Sequence, residues 1–385
     1  MDFSETHSEK EFKAKVRAVV GSEIVPKVSK WMNNKRLPRE MFRSLGKHEL
    51  LGFRHGAEGI EPIPCMENIH LYKSLAMANG GVAISSFAHS QLGNQGLYFF
   101  GDEKQKERFL TPGIRGEKVL AFANTEPGAG SDAASISLTA EDDGDSFLLN
   151  GTKTYITNGE TADQILVTAV TDPGEEKKHQ GISMFIVDGD STGLKRTPLE
   201  KYGWLPSDLT ALSFKDVKVN PDRLLGERRR GFYQTMQIFD SSRIGLSALA
   251  FGTALGAMKS AHDFASNRKV FGKTLLEFES KRGEMADRAA RLQAGWLLIQ
   301  KAAYHMDSNE EYGYHASTAK LFNTESGLDI ANWASILHGA SGVLPHNRAS
   351  QYPLDAKAAV IGEGAPEVQK KIIMKNIGKI LDGLV

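Results

Sequence analysis

Cysteine is nearly absent. Cys65 stands alone in 385 residues, which excludes an intramolecular disulfide and fits a reducing compartment. Net charge is absent as well: Lys plus Arg and Asp plus Glu both number 47, leaving no overall basic field to hold nucleic acid or an anionic membrane. A local basic pocket for a phosphate is still compatible with that balance. No apolar run reaches the roughly 20 residues of a membrane span. The longest weakly polar stretch, Ile244 to Met258, is loosened by Gly245, Gly252 and Gly256 and flanked by Arg243 and Lys259, as in a buried helix. The start, Met1-Asp-Phe-Ser-Glu-Thr-His7, lacks the basic and apolar segments of a secretory leader, so a cytoplasmic protein is expected. Solenoid or propeller repeats, low-complexity tracts and metal-ligand spacings are missing too, and no metal is expected.

What is present is ordinary for a globular chain, 41% hydrophobic and 24% charged, and long enough for two or three domains. Up to about Glu117 the pattern favours helix throughout, with candidates at Glu9 to Met32, Pro38 to Gly46, Cys65 to Gly80 and Lys104 to Leu110. His89, in the apolar stretch Ala83 to Gly101, reads chiefly as a hydrogen-bonded core residue. From Val119 short β-type runs take over: Ile136 to Ala140, Phe147 to Leu149, Ile165 to Val170, Ile182 to Val187 and Leu212 to Val219, with Asn150-Gly151 as a hairpin turn. Past Gly226 helical periodicity returns. Phe232, Met236 and Phe239 share one face, Met285 to Ala303 carry a second stripe, a third helix ends on a Gly339 cap, and a fourth follows Pro366. The expected fold is α+β and multidomain: an N-terminal α-helical domain (1–117), a central β-barrel (118–226) and a C-terminal four-helix bundle (227–385).

The stretch richest in chemistry is Ala121-Phe-Ala-Asn-Thr-Glu-Pro-Gly-Ala-Gly-Ser-Asp132. A hydroxyl near each end, a Pro that fixes φ and two Gly that free the backbone let amides converge on an anion or a flat polar ring. On composition alone an ordinary strand connection is the commoner reading of such a loop. This loop followed by Tyr155-Ile-Thr-Asn-Gly159, then Leu212 to Val219 before Leu224-Leu-Gly226, Arg268-Lys-Val-Phe-Gly272, Asp355-Ala-Lys357 and Ile361-Gly-Glu-Gly364, resembles the acyl-CoA dehydrogenase flavoprotein family over nearly the whole chain.

The resemblance implies FAD as cofactor, held within the subunit by Phe122, Asn124, Thr125, Gly130, Ser131, Tyr155 and Thr157, with Arg268 and Phe271 reaching the FAD of a neighbouring subunit and Gly339 also a cofactor position. It assigns Ser131, Phe239, Ser242, Arg243 and Gly364 to the substrate and Glu363 to the catalytic base. On local sequence alone Glu363 reads as a loop acid, though its apolar neighbours would desolvate it and raise its pKa. Some members draw their base from the position of Ser242; here that alternative is lost. The implied reaction is α,β-dehydrogenation of an acyl thioester on CoA, with an acyl-carrier-protein substrate or a flavin oxidase or monooxygenase as alternatives. The implied partners are an electron-transfer flavoprotein and further copies of the chain in a homotetramer or homodimer.

Several positions depart from the family pattern. Tyr155 stands for a frequent Trp, Leu205 and Leu354 for Arg, Ser335 to His338 for a Gln-x-x-Gly run, and Ala365 for Thr. Gly362 replaces a bulky Tyr beside the base. That exchange leaves more room at the acyl end and points to a short, branched or polar acyl group.

Overall fold

The computed structural model describes residues 5–56 and 59–383; Met1 to Ser4, on which the reading of the N-terminus partly rests, lie outside them. The chain opens with α1 (His7–Val19), α2 (Val28–Asn34) and α3 (Glu40–Lys47). A reciprocal Thr6/Glu9 capping box starts α1. The single helix expected from Glu9 to Met32 is two helices: the turns widen over Val20–Ile24 and then tighten over Val25–Lys27, where Pro26 cannot donate to the ladder. A hairpin, β1 (Phe53–Gly56) and β2 (Gly59–Pro62), follows where helix was expected. Next come α4 (Cys65–Ala78), α5 (Gly80–Phe87), α6 (Gln95–Phe100), α7 (Glu103–Gln105) and α8 (Thr111–Ile114). The Asp307 carboxylate, from the end of a helix distant in sequence, accepts the Cys65 and Met66 amides at the start of α4 at 2.7 and 2.9 Å. His89 is fully buried, Nε2 donating to the Gly113 carbonyl and Nδ1 accepting from the Leu120 amide, both at 3.0 Å. Burial pushes its pKa down to about 4, so it is a neutral tie between helix and sheet.

That sheet contains β3 (Leu120–Ala123), β4 (Thr139–Asp142), β5 (Phe147–Thr157), β6 (Gln164–Val170), β7 (Ile182–Asp188), β8 (Leu194–Pro198) and β9 (Leu209–Val219). Its order is β3-β6-β4-β5-β9-β8, with β7 also on β6. The strands curl around a core that includes Leu138, Leu149, Val167, Phe185 and Leu212. Asn150-Gly151 is not a turn. It lies inside β5 at a register shift against β9, a bulge where Gly151 has φ +141 and a Cβ would sit 2.9 Å from Leu138 Cα. The turn comes earlier, around Gly144 with φ +92.

The second helical half consists of α9 (Gly231–Asn267), α10 (Glu279–Asp307), α11 (Gly313–Leu337), α12 (Tyr352–Ile361), α13 (Pro366–Lys375) and α14 (Ile377–Asp382), with a tight hairpin, β10 (Lys269–Val270) and β11 (Lys273–Thr274), after α9. Among the described residues α9 alone is long and apolar enough to cross a membrane, and 83% of its most apolar window is buried inside the chain. Its neighbours explain that composition: Ile244, Leu246 and Leu249 join Tyr72 and Phe87 in one hydrophobic core shared by the first and last helices.

Candidate active site

The N-terminal half of α9 joins two elements: the turn after α12, which carries Glu363, and the strand β3, which leads into the loop 124–132. On α9, Phe239, Ser242 and Arg243 lie within about one helical turn, because residues three and four apart share a face. Phe239 sits edge-on to Phe122 of β3, ring centroids 5.8 Å apart. Ser242 is fully buried and its Oγ donates to Glu363 Oε2 at 2.7 Å. Arg243, 3% exposed, pairs with Asp240. Its Nε is buried with no acceptor among the described residues, an unsatisfied donor of the kind that a bound ligand completes.

Glu363 itself is half-buried, with φ +55. For a residue with a Cβ this conformation costs about 1–2 kcal/mol, so neighbouring contacts must hold it there. Burial pushes its carboxyl pKa up, opposed by the Ser242 hydrogen bond and by the charges of Arg243 and Lys320. A carboxyl group poised this way can take up a proton from a carbon acid near neutral pH.

The loop after β3 is anchored from below by a buried ion pair that the sequence reading overlooked. Lys153 Nζ, fully buried, donates to the Asn124 carbonyl at 3.0 Å and to Glu126 Oε1 at 2.8 Å. Glu126 also accepts the Ser137 and Leu138 amides at 2.7 and 3.0 Å. Burial lowers the Lys153 pKa to about 8. No sequence signal marks it: Lys153 lies in a polar stretch between Thr152 and Thr154, and a Lys and a Glu demand a partner only once the fold has buried them. Asn124 Oδ1 accepts from Thr168 Oγ1 at 2.8 Å, and the Thr125 carbonyl from the Thr154 amide at 2.8 Å. The loop start is therefore rigid, while Gly130 and Ser131 stay exposed at its far end.

Beside it, the register shift between Lys153 and Ile156 throws Tyr155 outward, φ +59 and 65% exposed, next to half-buried Thr157. An open aromatic face, a neighbouring hydroxyl and a glycine whose Cβ would meet nothing within 4 Å, Gly130, fit a flat heteroaromatic cofactor such as a flavin.

Arg268, Phe271 and Gly339 do not join this cluster. Arg268 and Phe271 lie on the exposed hairpin after α9, Phe271 at its tip with φ +51 and 94% exposure. Gly339, φ +58, follows α11 at the same end of the bundle, where His338 stacks on Phe264 with centroids 4.5 Å apart. These three share one outer end, facing away from Glu363's own surroundings.

Gly362 does not simply leave a void. A Cβ there would stand 3.3 Å from the Trp204 ring, so the indole occupies the space that the sequence reading left open. Trp204 is held by its amide on Asp355 Oδ1 at 2.5 Å and by Lys201 Nζ on its carbonyl at 2.6 Å. A groove of about 1070 Å³ lies elsewhere, between the first helices and the sheet, among Trp31, Arg39, Asp163, Arg196 and Arg223. Arg39, Arg223 and Arg196 are committed to Asp163, Asp188 and backbone carbonyls, and none of the candidate residues lines it.

Comparison with known proteins identifies the fold and the family. Residues 6–117, 121–217 and 229–378 match the N-terminal, middle and C-terminal domains described for acyl-CoA dehydrogenases. A 3-(aryl)acrylate reductase of Clostridium sporogenes is 35% identical over 93% of this chain and 95% of its own. The CarC subunit of a caffeyl-CoA reductase–Etf complex from Acetobacterium woodii is 34% identical over 87% and 89%. The solved structure of butyryl-CoA dehydrogenase from Megasphaera elsdenii superposes with a TM-score of 0.92 at 30% identity, covering 98% of this chain and 100% of that one.

Proposed function

Because this chain belongs to the acyl-CoA dehydrogenase family, whose members are FAD-dependent oxidoreductases, we propose that it interconverts an acyl-CoA and its α,β-unsaturated counterpart, with Glu363 exchanging the α-proton. The observation that carries this reading is the position of Glu363: its carboxyl is fixed by Ser242 on the helix that presents Phe239 to Phe122. That one helix ties the proposed base to the strand leading into the proposed cofactor loop supports the reading.

An α C–H is too weak an acid for an ordinary carboxylate. The chain answers with desolvation, which strengthens Glu363 as a base, and with a backbone amide at the same residue that can donate to the thioester carbonyl as charge develops there. FAD, when bound, supplies the acceptor for the β-hydride. Phe122, Asn124, Thr125, Gly130, Ser131, Tyr155 and Thr157 would hold it. Ser131, Phe239, Ser242, Arg243 and Gly364 would line the path of the thioester. In the reverse direction Glu363 returns the proton to the α-carbon, as the reductase names of two relatives suggest for those proteins.

The Trp204 indole beside Gly362 favours a short, flat or polar acyl group. The Etf complex of one relative supports an electron-transfer flavoprotein as electron partner. Phe271, 94% exposed, supports assembly with further copies of the chain.

The test is anaerobic bleaching of the flavin absorbance with a panel of acyl-CoAs and the matching acyl-carrier proteins, with Glu363→Gln in parallel. Bleaching by acyl-CoAs that Glu363→Gln abolishes is the expected result. Equal bleaching by the variant would overturn Glu363 as base, and bleaching by carrier-protein thioesters alone would replace CoA as the carrier.

A further inference from the structure

Lys320 is buried, charged and unused by the chemistry above. Its side chain, on α11, is fully buried. Nζ donates to the Val360 carbonyl at 2.8 Å and to the Gly364 carbonyl at 2.7 Å. These two acceptors bracket Glu363, three residues before it and one after. Val360 lies in the last turn of α12, where carbonyls have lost their helical partners and the helix dipole is negative. Gln369, also fully buried, donates from Nε2 to the carbonyls of Glu363 and Gly364 at 3.1 and 2.9 Å. The backbone around the base is therefore gripped by side chains of α11 and α13.

A buried ammonium is costly unless compensated, and here the compensation is the turn that carries the base. We propose that Lys320 is a positioning residue for Glu363: by drawing the Val360 and Gly364 carbonyls onto one nitrogen, it holds the turn closed and keeps Glu363 in its left-handed conformation. That conformation sets the direction of both the carboxylate and the Glu363 amide, so one staple aligns proton acceptor and thioester donor together. The inference rests on Glu363 being the base.

The same ammonium acts on the carboxylate through space. Its positive charge works with Arg243 to favour ionised Glu363 against burial. Burial in turn lowers the pKa of Lys320 to about 8, with Glu363, Arg243, Glu325 and Glu367 as the charged groups around it. Above that pH the neutral amine still donates hydrogen bonds, but the charge on the turn is gone.

Lys320→Met removes donors and charge, whereas Lys320→Gln keeps an amide donor and removes only the charge. Both are tested by the pH profile of anaerobic flavin reduction and by infrared titration of the Glu363 carboxyl in flavin-free protein, with Glu363→Gln subtracted as reference. Lys320→Met is expected to lower the limiting rate at least tenfold and to move the Glu363 titration up by about one unit. Lys320→Gln is expected to recover part of the rate with the titration still displaced. A folded, flavin-loaded Lys320→Met whose profile and titration superimpose on the parent would overturn the proposal. Should Lys320→Met fail to fold, the same two readouts on Lys320→Gln decide, and an undisplaced titration there overturns it. Loss of bleaching in Glu363→Gln beside unaltered Lys320 variants would sink this inference alone, while bleaching retained in Glu363→Gln would sink the base assignment.

Discussion

Ser242 Oγ and Glu363 Oε2 are 2.7 Å apart although 121 residues separate them in sequence. The hydrogen bond favours the ionised carboxyl against burial. A hydrogen bond to a charged group contributes roughly 1.5–3 kcal/mol, and one pKa unit corresponds to about 1.4 kcal/mol. Ser242→Ala should raise the Glu363 pKa further, so the proton-accepting form appears only at higher pH. Flavin reduction should slow most on the acid side and recover as pH rises. An unmoved acid limb in single-turnover kinetics would mean that the bond does not tune the base.

The Lys153–Glu126 pair makes a different demand. Removing one partner of a buried ion pair leaves the other charge uncompensated, at a cost of about 3–5 kcal/mol. Lys153→Met should lose stability of that order and should bind FAD weakly, since Asn124 and Glu126 lose their anchor together. Adding Glu126→Gln should recover part of it. Denaturant unfolding and the flavin-to-protein absorbance ratio measure both.

Space beside the base is set by Gly362 and Trp204. A Cβ at 362 fits with a small adjustment at 3.3 Å from the indole, so Gly362→Ala should be nearly neutral. Gly362→Tyr must displace the ring, an overpacking that costs about 1–3 kcal/mol. Pairing it with Trp204→Ile should restore the melting temperature and shift the acyl preference. If Gly362→Tyr alone melts like the parent, the indole is not where the space is lost.

Asp355 offers a pH signature. Burial raises its pKa to about 6 even though it accepts the Trp204 amide, against about 3.9 in an unfolded chain. Between pH 4 and pH 6 the folded state retains a proton that the unfolded state has lost, so this group's contribution to stability falls as pH rises and its full cost is present above pH 6. Asp355→Asn escapes that titration. Whatever constant offset it carries, its stability relative to the parent should improve by roughly 2 kcal/mol from pH 4 to above pH 6, which denaturant titrations at several pH values would show.

Helices with a clear apolar stripe were legible in the sequence, as were strands bounded by turn residues. The failures have local physical causes. Asn150-Gly151 carries the composition of a turn, but the close approach of Leu138 uses the same glycine inside a strand. The β1–β2 hairpin has only four residues per strand, too few for alternation to register. Glu363 could be named from its motif, but its partners Ser242, Lys320 and Gln369 lie on other helices. Lys153 and Lys320 drew no notice in the sequence because burial is decided by neighbours that only the fold supplies.

Helix α9 is also a ruler. From Phe239, beside the base, to Asn267 at its end, a rise of 1.5 Å per residue sets about 42 Å of rigid rod. A ligand resting on Phe239 cannot extend to Arg268 and Phe271 of the same chain. In the proposed assembly a flavin touched by those residues would be that of another copy, so cofactor retention would be coupled to association. Under that reading, dilution would loosen the flavin, because a dissociated copy loses its neighbour's contacts.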